Sequence, residues 1–129
     1  MHHNLGRALF YTGKSKQALV NFSEAVRLDP NNAEAHYSLA LALAEQRNLD
    51  QALKHYSKAV RLRPGVDTSP VLHYLLATNY GESRKFHEAV LSAEKALKLA
   101  QATGQEKLAQ EIKKWLELYR QADSSSKKR

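Results

Sequence analysis

Apolar residues recur along the chain with the spacing of amphipathic helices. The clearest case runs from Ala18 to Val26, where apolar side chains fall at i, i+1, i+4, i+7 and i+8 and form one stripe along an α-helix. The same stripe returns from Ala52 to Val60 and from Ala89 to Leu97. The sequence lacks the sustained alternation of apolar and polar residues that a half-buried strand requires. The pattern therefore predicts an all-α fold.

Sparse prolines and glycines divide this pattern into segments. Pro30, Pro64, Pro70 and Gly104 stand between apolar stripes, where turns are expected. Ser69 is a suitable N-cap for a helix that has Pro70 in its first turn. The predicted helices cover roughly 1–12, 15–28, 32–46, 49–62, 70–83, 86–103 and 105–121.

Part of the pattern is an internal repeat. The stretch NFSEAVRLDP ends at Pro30, and HYSKAVRLRP ends at Pro64, 34 residues later. Nearly half of the positions aligned at that offset are identical, and most of the identical residues are small or apolar. A third copy follows after a short insertion in the turn-rich segment RPGVDTSP. A fixed period of this length indicates stacked helix pairs, and their short turns imply antiparallel neighbours.

These repeats resemble the tetratricopeptide repeat (TPR), a helix–turn–helix unit of 34 residues. The residues that carry the resemblance are His2, Leu5, Gly6, Leu9, Ala18, Phe22, Ala25 and Pro30, then His36, Leu39, Ala40, Leu43, Ala52, Tyr56, Ala59 and Pro64, then His73, Leu76, Ala77, Tyr80, Ala89, Ala93 and Ala96. The chain departs from the family in having histidine where tryptophan is usual, alanine for glycine twice, and Ala93 for an aromatic residue. The resemblance implies a TPR-type α-α superhelix, a right-handed stack of antiparallel helix pairs.

The repeats define the expected domain organisation. We expect a single TPR domain over 1–121, with repeats at about 1–32, 33–66 and 70–103, and a disordered basic tail at 122–129. The segment 105–121 is amphipathic but has no second helix after it, so we expect it to cap the open end of the stack. Its apolar face is formed by Leu108, Ile112, Trp115, Leu116 and Tyr119.

Charge and hydropathy limit the expected partners. The net charge is +7, but much of it lies in the terminal SSSKKR, and basic and acidic residues are mixed elsewhere. Nucleic acid is therefore not the expected partner. No apolar run approaches the roughly 20 residues of a membrane-spanning helix, so we expect no membrane insertion by this segment and a soluble location, cytoplasmic or periplasmic. We expect a monomer, with the C-terminal helix and Trp115 as the surface for any self-association.

The residues that could carry out chemistry do not form a recognisable site. His2, His36 and His73 occupy the same repeat position, too far apart to share a metal ion at about 2.0–2.1 Å, and are interpreted as packing residues. His55 and His87, on second helices, are expected to be exposed. The sequence contains no cysteine, no HExxH or GxSxG motif and no phosphate-binding glycine loop. We therefore expect no enzyme activity, no metal and no cofactor.

The resemblance places one face of the first helices on a concave wall, along which TPR arrays bind peptides, helices or other proteins. Large apolar side chains on an exposed wall are typical of partner sites. The alternative is that these residues pack between repeats or are covered by a neighbouring segment. The candidate groove consists of His3, Arg7, Phe10, Tyr37, Leu41, Tyr74 and Thr78.

Two functions follow from this interpretation. The first is a protein–protein interaction module or scaffold that binds a peptide or helix of a partner in the concave groove. The second is a non-catalytic TPR region of a larger enzyme, such as a membrane glycosyltransferase, which positions a substrate or organises a complex. The second is favoured by the first predicted helix, which begins at or before His2 and suggests further repeats upstream.

Overall fold

The computed structural model describes residues 15–127, with side chains from 16 to 124. These residues form α-helices and connecting turns, without any strand in the described range, so the prediction of an all-α fold is confirmed. The predicted helix at 1–12 lies outside the described residues. The helices are α1 (Ser15–Leu28), α2 (Ala33–Glu45), α3 (Leu49–Leu62), α4 (Pro70–Glu82), α5 (Phe86–Ala102) and α6 (Glu106–Lys127), with a short 3-10 turn at Pro64–Val66.

Side-chain caps fix the starts of three helices. Asn32 Oδ1 accepts a hydrogen bond from the backbone N–H of Ala35 at 3.1 Å and begins α2. Asn48 caps α3 in the same way. The predicted cap is also present, because Ser69 Oγ accepts from the N–H of Leu72 at 3.1 Å, with Pro70 in the first turn of α4. Each cap satisfies a backbone donor that the helix leaves unpaired, a contribution of about 1 kcal/mol.

Left-handed residues end three helices. Arg47, Arg84 and Gly104 have φ values of 63°, 62° and 70°. In each case the next residue donates its backbone N–H to a carbonyl near the end of the helix, as in the 2.9 Å bond from Lys85 to Tyr80. The conformation costs an L-residue about 1–2 kcal/mol, which only glycine escapes. The backbones of Arg47 and Arg84 are therefore strained, and this left-handed conformation reverses the chain direction within each helix pair.

The described residues from 15 to 68 belong to one compact unit, the first unit. Within it, α2 packs against both α1 and α3. Alanines are buried along these contacts, because a small side chain lets two helix backbones approach closely. Those with no exposed surface are Ala40, Ala42, Ala52 and Ala59.

The described residues from 69 to 127 belong to the second unit, in which α5 packs against both α4 and α6. The largest fully buried side chains here are Leu72 of α4 and Leu108, Ile112 and Leu116 of α6. Helix α6 was expected at 105–121, but it continues to Lys127. Residues 122–127 are thus helical rather than a disordered tail, and 128–129 lie outside the described residues.

Candidate functional site

The candidate groove residues fall into three groups. His3, Arg7 and Phe10 lie outside the described residues. Tyr37 and Leu41 lie one helical turn apart on α2, in the first unit. Tyr74 and Thr78 have the same spacing on α4, in the second unit.

Tyr37 is buried, with 8% of its surface exposed. Its hydroxyl donates a hydrogen bond to Asp67 Oδ1 at 3.1 Å, and the hydroxyl of Tyr56 donates to Asp67 Oδ2 at 2.7 Å. The two rings lie 6.3 Å apart. One carboxylate thus connects α2, α3 and the segment that follows α3. This corrects the expectation of a large exposed side chain at Tyr37, because the segment around Asp67 folds over it.

Tyr74 is half-buried and meets the edge of Trp115 at a ring distance of 6.1 Å. Trp115 in turn stacks on Tyr119 at 3.9 Å, and Tyr119 lies 6.0 Å from Phe86. The aromatic face of α6 therefore packs against α4, as the alternative of a covering segment anticipated for this position. Trp115, which was considered as a surface for self-association, is half-buried in this cluster.

The two smaller residues keep part of their surface in solvent. Leu41 is half-buried on α2. Thr78 is half-buried on α4, where its hydroxyl donates to the carbonyl of Leu75 at 2.8 Å. That bond stays within the helix and uses the only donor of the hydroxyl, so Thr78 can offer a ligand its methyl group and an oxygen that accepts.

A cavity of about 300 Å³ opens between the first turns of α2 and the segment after α3. Tyr37 and Ser38 supply its helical side, and Arg63 and Glu34 form an ion pair of 2.8 Å in its lining. The opposite side belongs to the segment that carries the insertion relative to the 34-residue period. The sequence shows the insertion but does not show that it forms a cavity. The lining residues are Glu34, Tyr37, Ser38, Arg63, Gly65, Val66 and Thr68.

His36 is buried, as expected for a packing residue, but it is also hydrogen-bonded through both ring nitrogens. Nε2 lies 2.8 Å from the carbonyl oxygen of Pro30, and Nδ1 lies 3.0 Å from Nδ1 of His55. A carbonyl can only accept, so Nε2 of His36 carries the proton and its Nδ1 accepts from His55. His55 was expected to be exposed and is instead half-buried against His36.

Burial lowers the pKa of His55 below the ordinary histidine value, and the positive charge that His36 and Lys54 place nearby lowers it further. His55 is therefore neutral near pH 7. His87, also on a second helix, is exposed as expected, and its Nδ1 lies 3.8 Å from an oxygen of Asp123. Within the described range, no three His, Asp or Glu side chains are arranged to hold a metal ion.

Comparison with solved structures identifies similar folds. The structure of PcrH in complex with the chaperone binding region of PopD matches with a TM-score of 0.69 and 22% identity, covering 93% of this chain and 89% of that chain. The type III secretion translocator chaperone SycD of Yersinia enterocolitica matches with a TM-score of 0.69 and 17% identity, covering 95% and 83%. A chain of the CopN–Scc3 complex matches with a TM-score of 0.58 and 24% identity, covering 85% and 64%.

At these identities the likeness concerns the fold. No curated protein sequence matches the chain significantly. Among the described helices, none combines the length and the apolar character needed to cross a membrane.

Two sequence profiles of the tetratricopeptide repeat match residues 3–67 and 71–103. Together with the helix pairs and their alanine-rich contacts, these matches establish that the chain belongs to the tetratricopeptide repeat family, whose fold serves as a protein-binding scaffold.

Proposed function

We propose that the chain binds a segment of a partner protein on the face of α2 that carries the cavity, and that the cavity receives one side chain of that segment. The observation that carries the proposal is the cavity itself. Its volume of about 300 Å³ is large enough for a single large side chain, and it lies beside the half-buried Leu41 and Ser38 on the face that the family uses for binding.

The lining of the cavity suggests how it would recognise a ligand. Ser38 offers a hydroxyl group that can donate and accept, and the hydroxyl of Thr68, which donates to the carbonyl of Val66 at 3.5 Å, can still accept. The side chain of Val66 offers an apolar surface. Arg63 and Glu34 are paired with each other, so their charges offset one another and the cavity favours neither an anionic nor a cationic ligand. This combination suits a polar or amphipathic side chain better than a purely apolar one.

We expected Tyr37 to be an exposed side chain that contacts the partner, but here it is assigned to the wall of the cavity. Because its ring is buried and its hydroxyl is held by Asp67, it forms a rigid edge of the cavity rather than a mobile anchor. A rigid site loses little entropy when a ligand binds. Tyr74 and Thr78 remain candidates for contacts on the second unit, and Leu41 for contacts beside the cavity.

Two of the structural neighbours come from complexes of two proteins, PcrH with PopD and CopN with Scc3. They support the general idea that this fold accommodates a protein segment.

The test uses peptides selected from a random display library on the wild-type chain. Gly65 lines the cavity, and nothing lies within 4 Å of a Cβ added there, so Gly65→Leu should fill the cavity without straining the fold. We expect this variant to bind the selected peptides at least about tenfold more weakly, a loss of about 1.4 kcal/mol. Lys54→Ala, on the exposed face of α3, is the matched control and should bind normally. Equal binding by Gly65→Leu would contradict the proposed site.

A further inference from the structure

Two histidines join three segments of the first unit that are distant in sequence. His36, on α2, lies 2.8 Å from the carbonyl oxygen of Pro30 in the turn after α1. On its other side it lies 3.0 Å from His55 on α3. Through one buried imidazole, the α1–α2 turn is thus connected to the middle of α3.

The proton positions in this series of hydrogen bonds follow from the carbonyl of Pro30, which is the acceptor at one end. The carbonyl of Pro30 requires a proton on Nε2 of His36. In the neutral ring, Nδ1 of His36 then has no proton and acts as an acceptor. The Nδ1–Nδ1 contact then requires that His55 donates. The ring planes differ by 22° and the centroids lie 5.3 Å apart, an arrangement in which the ring edges can share this hydrogen bond.

Such a pair can bind one further proton but not two. The first can go to Nε2 of His55, which is not used in the pair. A second proton would have to go to Nδ1 of His36, where it would replace the only acceptor and set two N–H donors against each other at 3.0 Å. Two imidazolium ions would also repel each other at this distance.

We propose that His36 and His55 form an acid-sensitive clasp, which holds the Pro30 turn against α3 at neutral pH and releases it when both rings become protonated. The released part would be the turn between α1 and α2, with α2 and α3 still packed through their alanines. The clasp would thus control how firmly the first repeat is attached to the second.

The charged groups around the pair do not offset the repulsion. On α3, Lys54 lowers the pKa of His55 further, and Lys58 lies one turn after His55. Carboxylates of the neighbouring segments are engaged elsewhere: Glu24 pairs with Arg27 on α1, Glu34 of α2 pairs with Arg63, and Asp29 accepts from the N–H of Asn31 in the turn. No described carboxylate forms an ion pair with either histidine of the clasp.

The direction of the pH effect follows from linkage. Above the ordinary histidine pKa of about 6.5, the histidines of the unfolded chain are neutral, and the lowered pKa of His55 keeps its ring neutral in the folded chain as well. As the pH falls below that value, the unfolded or opened form takes up protons that the clasp resists, so acid favours opening.

The experiment is amide hydrogen exchange followed by NMR between about pH 7.5 and about pH 5, with rates corrected for intrinsic exchange. The reporters are the amide of Asn32, which donates to the carbonyl of Asp29 across the turn, and the amide of His36, which donates to the carbonyl of Asn32 in the first turn of α2, both at 3.2 Å. We expect their protection to fall at least about tenfold in acid, while amides of α5 keep theirs. Unchanged protection of the turn would overturn the proposal.

Two variants separate the clasp from general acid effects. The double variant His36→Gln/His55→Gln keeps side-chain donors and acceptors but cannot titrate, so its turn should show no acid-dependent loss. His87→Gln removes an exposed histidine and should behave like the wild type. An equal acid-dependent loss in the double variant would contradict the proposal.

A second measurement does not depend on how the variants fold. The ¹⁵N shifts of the wild-type imidazoles should show a proton on Nε2 of His36 and on Nδ1 of His55 at neutral pH. Any other tautomer pair at neutral pH would contradict the clasp.

Discussion

The hydroxyl of Tyr37 lies 3.1 Å from Oδ1 of Asp67, and Oδ2 of the same carboxylate lies 2.7 Å from the hydroxyl of Tyr56. Removing a charged acceptor leaves two donors without this partner, so Asp67→Ala should lower the free energy of unfolding by about 2–3 kcal/mol. Urea denaturation measures the loss. Tyr56→Phe removes only one of the two bonds and should cost about half as much; a neutral Asp67→Ala would contradict the role of this carboxylate.

The ring of Tyr37 should matter more than its hydroxyl. The buried ring fills space that alanine leaves empty, so Tyr37→Ala should cost about 3 kcal/mol of unfolding free energy. Tyr37→Phe keeps the ring and should cost about 1 kcal/mol. Urea denaturation of both variants measures the difference, and equal stability of Tyr37→Ala and wild type would show that the ring is not part of the core.

Local patterns predicted the helices and their connections closely. Five of the predicted segments begin and end within one residue of α1 to α5, because alanine and leucine spacing and the prolines act locally. The sequence identifies Ser69 as a cap for the same reason, since the capping hydroxyl and the backbone N–H that donates to it are three residues apart. The extension of α6 to Lys127 was missed because the polar DSSSK gives no apolar signal for a helix.

The candidate site could be predicted only in part. The helical spacing places Tyr37 and Tyr74 on one face of each first helix, but it cannot show what covers that face. Tyr37 is covered by the inserted segment and Tyr74 by the aromatic residues of α6. The bond between His36 and His55 likewise depends on how two helices meet, which no local pattern contains.

Gly81 is packed against Tyr119, so it should not tolerate a larger residue. A Cβ added at Gly81 would lie 2.8 Å from Cε1 of Tyr119. The tyrosine cannot easily move, because its ring is stacked on Trp115 at 3.9 Å. Overpacking costs about 1–3 kcal/mol and outweighs the gain of up to about 1 kcal/mol from replacing a helical glycine, so thermal denaturation should show a lowered Tm for Gly81→Ala.

Gly65 is the matched control for Gly81. A Cβ there meets nothing within 4 Å, so Gly65→Ala should leave the Tm nearly unchanged. A Gly81→Ala variant as stable as Gly65→Ala would show that α6 does not pack against this face of α4.

Tyr80 should make the fold sensitive to alkali. Burial raises the pKa of its hydroxyl above the ordinary value of 10.0, and the charge of Glu88 raises it further. Above about pH 10 the unfolded chain loses this proton while the folded chain keeps it, so stability is present below that pH and falls as the pH rises through the folded pKa. Urea denaturation at several alkaline pH values measures the slope. In Tyr80→Phe the slope should be smaller, and an unchanged slope would assign the effect to other groups.

The packing of α6 can be tested with two of its own aliphatic residues. Ile112 is completely buried among the residues of α5 and α6, whereas 68% of Leu118 is exposed on the same helix. Ile112→Ala should therefore cost about 2–5 kcal/mol of unfolding free energy, through lost burial and the cavity left behind. Leu118→Ala should stay within about 0.5 kcal/mol. Trp115, the only tryptophan of the chain, lies in the neighbouring aromatic cluster, so its fluorescence in a urea titration reports both variants directly. Equal losses for the two variants would contradict the docking of α6, because a helix that does not pack against α5 would not distinguish its buried face from its exposed one.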